Sequence, residues 1–340
     1  MKIALDAMGG DNGVDVVVSG ALLSLADNSE LELTLVGDEE AVKATLARQE
    51  KYQEYKDRIT IKHASQKVAM DESPAVALRT KKDSSIRVAV NLVKDGTVDA
   101  CVSAGNTGAL MATAKYVLKT LPGIDRPAIM KTLPTSEGVV RLLDLGANVD
   151  CSADNLLQFA VMGSVYAEAV DKIKEPRVGL LNVGQEEIKG NDEVKQASKL
   201  LSETELNYIG YVEGDGVFFN DADVVVCDGF VGNISLKIIE GLAKMIGLFL
   251  QHEYKRNLFS KLAAIISIPV LKRLKRRIDP GRYNGASLLG LRGIVIKSHG
   301  SASAVSFSHA IANAVSEVKN NVPDLIDKRL DSLLSEKAEN

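Results

Sequence analysis

Five polar segments of the chain combine glycine with Asp, Asn or Ser, and each directly follows an apolar run. They are Asp6–Asp11, Ser103–Gly108, Asp144–Asp150, Asn182–Gln185 and Asp228–Asn233. Glycine lets backbone N–H groups approach a ligand closely. Because ligands of open α/β sheets bind beyond the carboxyl ends of the strands, the five segments are predicted to converge on one site. The residues assigned to this site are Asp6, Gly9, Gly10, Asp11, Asp144, Asn148, Asn182, Gly184 and Asp228.

The segment Ser103–Gly108 leads directly into a predicted helix, Thr107–Lys119. The free N–H groups and the dipole at a helix N-terminus attract anions, and phosphate is the natural guest of such a site. The residues predicted to bind phosphate are Ser103, Gly105, Asn106, Thr107 and Gly108. The alternative is that Gly105 and Gly108 only form a tight turn and a close contact between the helix and the sheet.

Several common catalytic motifs are absent from the sequence. Neither G-x-G-x-x-G after the first strand nor G-x-x-x-x-G-K-[ST] occurs, which disfavours the usual dinucleotide and nucleoside triphosphate sites. Without G-x-S-x-G or an obvious His–Asp partner for a Ser or Cys, covalent catalysis is not indicated. The histidines lack metal-ligand spacing, and the aspartates suit caps and turns better than Mg²⁺ ligands. Direct transfer remains, in which two reactants are positioned and a developing oxyanion is stabilised.

Strand and helix patterns alternate along the chain and must position these segments. Apolar runs predict nine strands: Ile3–Leu5, Leu31–Val36, Ile59–Ile61, Ala100–Val102, Ala128–Met130, Val139–Leu143, Val178–Val183, Val224–Cys227 and Ile294–Ile296. Helical patterns cover Ser84–Lys94, Thr107–Lys119, Asp154–Val170, Asp192–Ser202 and Asn233–Glu253. The alternation predicts an α/β fold with a doubly wound, largely parallel sheet. Without a linker or repeat, residues 1–340 are predicted to form one domain, with a helical excursion at 236–280.

The composition, 46% hydrophobic and 25% charged, is that of a globular protein. The net charge of −4 argues against a general nucleic-acid binder. Three widely spaced cysteines are expected to be reduced thiols. Because the sequence has neither a signal-peptide pattern nor an apolar run long enough to span a bilayer, we expect a cytoplasmic location.

Eight segments, in one order over nearly the whole chain, carry a resemblance to a known family. They are Ala4–Asp11, Ser103–Leu110, Gly123–Ala128, Asp144–Asn148, Leu180–Gly184, Lys189–Asn191, Asp228–Asn233 and Gly285–Gly290. As a set they resemble the PlsX-type phosphate acyltransferases of bacterial phospholipid synthesis. The resemblance implies an isopropylmalate-dehydrogenase-like fold, a homodimer, no metal or organic cofactor, and acyl-[acyl carrier protein] and inorganic phosphate as substrates. The acyl phosphate product would supply a membrane-bound glycerol-3-phosphate acyltransferase.

The resemblance also implies two catalytic residues, because the positions that match the family's lysine and asparagine are Lys189 and Asn233. Lys189 would offset the charge of phosphate or of the oxyanion, and Asn233 would donate a hydrogen bond to the thioester oxygen or to phosphate. The chain departs from the family pattern at Gln185–Ile188 and at Ser298–Ser303, where the usual paired serines are missing.

The excursion concentrates positive charge in a chain that is acidic overall. Between Lys255 and Arg277 there are eight basic residues and no acidic one: Lys255, Arg256, Lys261, Lys272, Arg273, Lys275, Arg276 and Arg277. Interleaved apolar residues, including Ile265 and Ile266, make the segment amphipathic. Pro269 is expected to interrupt the helix, so that residues 265–270 form an apolar tip.

Three partners suit this excursion: an anionic membrane surface, the acidic acyl carrier protein and nucleic acid. Nucleic acid is least favoured because aromatic residues are almost absent from the segment. The resemblance implies peripheral membrane association through this region. The alternative without a partner is a helix pair that packs on the core and exposes a basic face.

Two other functions remain open from the sequence. A phosphotransacetylase-like or hydroxy-acid dehydrogenase relative of the same fold would keep the site at the strand ends and change the substrate. A membrane-associated scaffold would use the excursion alone, and it would leave the five glycine-containing segments unexplained.

Overall fold

A computed structural model describes residues 1–339, without the side chains of Lys275 and of residues 333–339. Its strands are β1 (Lys2–Asp6), β2 (Glu32–Gly37), β3 (Ile59–His63), β4 (Ala100–Ser103), β5 (Ala128–Pro134), β6 (Val139–Leu143), β7 (Val178–Leu181), β8 (Tyr208–Val212), β9 (Val224–Val226), β10 (Ala286–Leu289) and β11 (Ile294–Lys297). Within the described residues they form one eleven-stranded sheet in the order β3-β2-β1-β4-β11-β10-β5-β6-β9-β7-β8.

Helices cover both faces of the sheet. They are α1 (Gly13–Asp27), α2 (Glu39–Ala47), α3 (Tyr52–Tyr55), α4 (Pro74–Thr80), α5 (Ser85–Lys94), α6 (Thr107–Leu118), α7 (Ala153–Tyr166), α8 (Asp192–Ser202), α9 (Gly229–Lys255), α10 (Leu258–Ile278), α11 (Ala304–Lys319) and α12 (Val322–Glu339). No helix within residues 1–339 has the length and hydropathy needed to cross a bilayer.

Most strand pairs in the sheet are parallel, and the antiparallel ones involve β5 and β10 in its middle. The predicted α/β fold with a largely parallel sheet is confirmed. All nine predicted strands are present, but β8 and β10 were not predicted. Each of these two strands is short and contains or follows a glycine, Gly210 or Gly285, with positive φ, so neither has a continuous apolar pattern.

The alternation of side chains in β1 explains why both faces of the sheet are buried. Ile3 and Leu5 pack with Phe307 of α11 in one apolar cluster. Ala4, between them, packs with Val90 of α5 in a second cluster on the opposite face. Successive strand residues point to opposite faces, so a strand covered by helices on both sides must be apolar throughout.

Helices α9 and α10 form a hairpin that extends from the sheet, and most residues of the segment 236–280 lie in these two helices. The chain reverses at Arg256–Asn257, where the side chain of Asn257 caps α10 by accepting a hydrogen bond from the N–H of Ser260 (2.9 Å). The expected apolar tip at 265–270 is wrong, because these residues lie in the middle of α10. Helix α10 continues through Pro269. On an exposed helix the carbonyl that loses its N–H partner at proline can be hydrated instead.

Candidate active site

Asp6, at the end of β1, is fully buried and holds two loops together. It accepts hydrogen bonds from the hydroxyl of Ser103 (2.6 Å) and from the N–H of Met8 (3.2 Å). The Ser103 hydroxyl in turn accepts from the N–H of Gly105 (3.0 Å). Burial raises the pKa of Asp6, and these hydrogen bonds offset part of that increase. A Cβ on Gly9 would lie 2.5 Å from the carboxylate, so the loop requires glycine there.

Asn106 organises the start of α6, and both polar atoms of its side chain are already hydrogen-bonded within the protein. Its side-chain oxygen accepts from the N–H of Ala109 (3.0 Å), and its NH₂ group is shared among three backbone carbonyls of residues 69–72. Gly108 is packed so closely that a Cβ would lie 2.6 Å from the ring of Pro74. The first N–H groups of a helix have no partner within it, and Thr107 and Gly108 line a cavity.

Asp144, after β6, holds loops together in the half of the sheet that contains β6, as Asp6 does in the half that contains β1. Its buried carboxylate accepts from the N–H groups of Ile129 (2.9 Å), Ala147 (3.1 Å) and Asn148 (2.8 Å), and from the Asn148 side chain (2.9 Å). Burial raises the pKa of Asp144. Asp228 caps α9 through the N–H of Val231 (2.9 Å). These aspartates therefore act as loop supports and caps.

A cavity of about 520 Å³, the strand-end cavity, lies between the two halves of the sheet. Thr107 and Gly108 lie in its wall, as do Gly146 and Asn233 from the other half. The ionisable side chains that line it are Lys131, Lys237, Glu240, Lys297 and His299. Lysines outnumber carboxylates three to one, which suits an anionic ligand.

Lys297, at the end of β11, is the buried cation of this cavity. Its ammonium group donates to the carbonyl oxygens of Ala104 (3.4 Å) and Ser298. Among the described residues, no carboxylate lies within 4.0 Å of it. Burial lowers the pKa of Lys297 to about 8, although Asp6 and Asp11 act in the opposite direction. An anion in the cavity would supply the missing countercharge.

The other two lysines share one carboxylate. Glu240 forms ion pairs with Lys131 (3.1 Å) and Lys237 (3.4 Å). Burial raises the pKa of Glu240, but the two ammonium groups outweigh it, so the pKa is lowered. Burial also lowers the pKa of the neighbouring His299. Glu240 remains ionised near neutral pH, and the two lysines leave an excess of positive charge beside the cavity.

Lys297, Lys131 and Lys237 were not among the predicted site residues. A local signal does exist for Lys297, because it directly follows a predicted apolar run and ends β11. The end of a strand is where ligands of open α/β sheets bind. Lys131 lies in the middle of β5, so the same signal does not apply to it. His299, one of the histidines that lack metal-ligand spacing, also lines the cavity.

The five glycine-containing segments do not all line the cavity. Ser103–Gly108, Asp144–Asp150 and Asp228–Asn233 contribute to its wall. Asp6–Asp11 lies behind the wall, held by the Asp6–Ser103 hydrogen bond and by the N–H of Asp11, which donates to the Gly300 carbonyl (2.8 Å). Asn182–Gln185 and the neighbouring lysine belong to a separate loop.

Lys189 lies on this loop after β7, is exposed, and does not line the strand-end cavity. Asn182 holds the loop by donating to the carbonyls of Gly184 (3.1 Å) and Lys189 (3.3 Å). Gly190 has a positive φ, and a Cβ there would lie 2.4 Å from the Asn182 side chain. The loop is thus well defined, and its lysine lies outside the wall of the strand-end cavity.

A second cavity, the hairpin groove, adjoins the strand-end cavity and has a volume of about 620 Å³. Lys131, Glu240, Asn284 and His299 line both cavities. Beyond these residues the groove is mainly apolar on the side of the hairpin, with Ala243, Gly247, Leu250, Leu271, Leu274 and Ile278. No group of three or more His, Cys, Asp or Glu side chains in residues 1–339 could hold a metal ion.

Comparison with known proteins identifies the family of this chain. A family model described as fatty acid synthesis protein matches residues 1–325. The phosphate acyltransferase of Alkalilimnicola ehrlichii is 62% identical over 337 residues, which cover 99% of this chain and 98% of that protein. The chain belongs to the phosphate acyltransferase family. It is therefore an acyltransferase.

Solved structures with low sequence identity share the fold. The phosphotransacetylase of Streptococcus pyogenes aligns over 94% of both chains with a TM-score of 0.62 and 20% identity. The 4-hydroxythreonine-4-phosphate dehydrogenase of Klebsiella pneumoniae also aligns with this chain. The alignment covers 94% of this chain and 98% of the dehydrogenase, with a TM-score of 0.53 and 15% identity. At such identities the likeness extends to the fold alone, and it agrees with the predicted fold class.

Proposed function

We propose that this phosphate acyltransferase moves a long-chain fatty acyl group from the thioester of acyl-[acyl carrier protein] to inorganic phosphate. The product would be an acyl phosphate for phospholipid synthesis. The observation that carries the proposal is the strand-end cavity, in which lysines and the first turn of α6 lie opposite Asn233. Helix N-terminal N–H groups and ammonium groups suit phosphate, and an amide donor suits a developing oxyanion.

The transfer proceeds by direct attack. A phosphate oxygen forms a bond to the thioester carbonyl carbon, and the carbonyl electrons move to oxygen and give a tetrahedral oxyanion. When the oxyanion collapses, the C–S bond breaks and the carrier leaves as a thiolate. Because an ordinary thiol has a pKa of about 8.5, the thiolate can leave unassisted and take its proton from water.

Each cavity residue has a role in this scheme. Thr107 and Gly108 offer N–H groups to phosphate, and Lys297 balances its charge from the buried side of the cavity. Asn233 donates to the thioester oxygen as negative charge develops there. Removing one such donor typically costs about 3–4 kcal/mol of transition-state stabilisation. Lys189 keeps the catalytic role that the family resemblance implies, as a hypothesis to be tested against Lys297.

The hairpin end is proposed to bring the protein to an anionic membrane surface. At the chain reversal, Leu258 and Phe259 are 73% and 85% exposed. They lie between the exposed basic residues Lys255, Arg256 and Lys261. Exposed apolar and cationic side chains together are typical of interfacial attachment. The other exposed basic residues of α10, Lys272, Arg273, Arg276 and Arg277, extend the same surface.

Three further partners belong to this proposal. The acidic carrier protein would dock on the basic residues of the hairpin, close to the cavity that receives its thioester. The protein would act as a homodimer, and a membrane-bound glycerol-3-phosphate acyltransferase would consume the acyl phosphate. Nucleic acid is not proposed as a partner, since the hairpin has few aromatic side chains for stacking on bases.

The test is to incubate the purified protein with hexadecanoyl-[acyl carrier protein] and to vary inorganic phosphate. We expect release of free carrier in proportion to phosphate, with one acyl phosphate formed for each carrier released. Release without phosphate would indicate a thioesterase, and absence of release would favour a scaffold. Reduction of a nicotinamide cofactor by a hydroxy acid would instead support a dehydrogenase.

A further inference from the structure

One face of α9 connects the strand-end cavity to the hairpin groove. Its residues recur every three or four positions, with two adjacent pairs among them: Asn233, Leu236, Lys237, Glu240, Ala243, Lys244, Gly247 and Leu250. Residues with this spacing form a continuous stripe along a helix. The stripe changes from mainly polar beside the cavity to mainly apolar along the groove.

Helix α10 supplies the second apolar wall of the groove with Leu271, Leu274 and Ile278, which are again three or four residues apart. The opposite side consists of polar and small residues of the body, among them Gly281 and Ser303. The volume of about 620 Å³ falls within the roughly 300–1,000 Å³ of small-molecule sites. The groove is therefore large enough for a flexible apolar ligand.

The length of the stripe also suits a fatty acyl chain. From Asn233 to Gly247 is fourteen residues of α9, or about 21 Å at 1.5 Å per residue. One acyl chain of a phospholipid spans half of the bilayer's hydrocarbon core, about 15 Å. At 1.5 Å per residue, 15 Å corresponds to about ten residues, so a thioester held beside Asn233 would bring the end of the chain near Ala243, one helical turn before Gly247.

We propose that the hairpin groove binds the alkyl chain of the acyl substrate, with the thioester in the strand-end cavity and the chain end within about one helical turn of Gly247. The inference rests on the proposed function, because it assigns a place to the acyl chain of that reaction. The two cavities share Lys131, Glu240, Asn284 and His299 in their walls. This continuity favours one ligand that occupies both cavities over a partner helix or a second copy of the chain.

Two glycines of α9 provide a matched test. A Cβ on Gly247 or on Gly241 would meet nothing within 4 Å, so neither position requires glycine for packing. Gly247 lines the groove, whereas Gly241 lines neither cavity. Gly247→Phe would place a ring in the groove, and Gly241→Phe would add the same ring elsewhere on the helix. Glycine is the weakest ordinary helix former, so both variants should keep α9 helical.

The first measurement is kcat/KM for octanoyl- and hexadecanoyl-[acyl carrier protein] with saturating phosphate. Each methylene in an apolar site contributes about fourfold to kcat/KM, by the transfer free energy of a methylene. We expect Gly247→Phe to lower kcat/KM at least tenfold for the hexadecanoyl substrate and less than twofold for the octanoyl one. Gly241→Phe should match the parent with both. If the two variants have the same kcat/KM for each substrate, the proposal is overturned.

A second measurement does not depend on turnover. Fluorescence of parinaric acid, a polyene fatty acid, reports alkyl binding directly, and the chain has no tryptophan to interfere. We expect Gly247→Phe to weaken binding at least fivefold relative to Gly241→Phe. If Gly247→Phe binds parinaric acid more weakly but the parent turns over no substrate, the groove remains an alkyl-binding site and the proposed function is rejected. Unchanged binding would reject the groove even if the transfer reaction is observed.

Discussion

The two ends of helix α9 lie in opposite environments. In its first turn, Gly232 packs so closely that a Cβ would lie 1.9 Å from the carbonyl oxygen of Asp144. Further along the same helix, Gly241 and Gly247 have open space around them. The packed end holds Asn233 in the cavity, and the open end forms the groove and the hairpin tip. One element thus joins a rigid site for chemistry to a surface available to substrate or partner.

The largest effect is expected from the buried cation of the packed region. Lys297→Ala should lower turnover by about a hundredfold to a thousandfold, as removal of an oxyanion-stabilising donor does, and Asn233→Ala should do the same. Lys189→Ala, which changes an exposed loop residue, should lower turnover less than Lys297→Ala does. The measurement is kcat for phosphate-dependent carrier release, with circular dichroism to establish folding.

Equal losses at Lys189 and Lys297 would contradict this ranking. They would mean that the loop after β7 reaches the cavity during turnover, in the same chain or from a second copy in a dimer. Normal turnover in Lys297→Ala would show that the buried lysine has no part in the mechanism. Lys189, the lysine that the family resemblance implies, would then be the catalytic lysine.

Because packing differs along α9, replacing glycine with alanine is expected to change stability in opposite directions at positions 232 and 241. Gly232→Ala forces a methyl group against the Asp144 backbone and should lower the free energy of unfolding by about 1–3 kcal/mol. Gly241→Ala has open space and should raise it by about 0.5–1 kcal/mol, because alanine favours the helix. Urea denaturation of both variants checks the pair. A destabilised Gly241→Ala would show that the open end of α9 is packed in solution.

The hairpin tip is expected to bind anionic membranes through its charges. Changing Lys255, Arg256 and Lys261 to Gln should lower recovery with anionic vesicles in flotation, at about 1 kcal/mol per basic residue. The matched control changes three exposed lysines of the body, Lys51, Lys56 and Lys62, to Gln. Equal recovery of the two triple variants would remove the hairpin from membrane binding.

The sequence patterns predicted the sheet and the strand-end loops because their signals are local. An apolar run before a glycine and an aspartate identifies the end of a strand wherever it occurs. The sequence marks Lys297 only by its position directly after an apolar run, and its burial depends on Ala104 and Ser298 around its ammonium group and on residues brought from other strands. The position of the hairpin turn was also missed, because Pro269 is a stronger local signal than the cap at Asn257.

A buried carboxyl in the packed body, Glu317 of α11, is expected to show its effect only when pH is varied. Burial raises its pKa to about 8, although Ser287, Arg141 and Tyr166 act in the opposite direction. The folded state therefore keeps a proton that the unfolded chain loses above about pH 4.5, so stability falls as pH rises from about 4.5 to 8. Each unit of the pKa difference contributes about 1.4 kcal/mol, or about 2 °C in Tm for a chain of this size.

Glu317→Gln keeps an acceptor for the hydroxyl of Ser287 (3.0 Å) and removes the titration. Its Tm should therefore change less between pH 5 and pH 9 than that of the parent, with the two proteins closest at pH 5. The hairpin offers the matched control, since Glu253 is exposed and Glu253→Gln should leave the pH dependence of Tm unaltered. If the Tm of Glu317→Gln equals that of the parent at every pH, the buried carboxyl keeps its ordinary pKa. Burial in the body would then affect titration no more than exposure on the hairpin does.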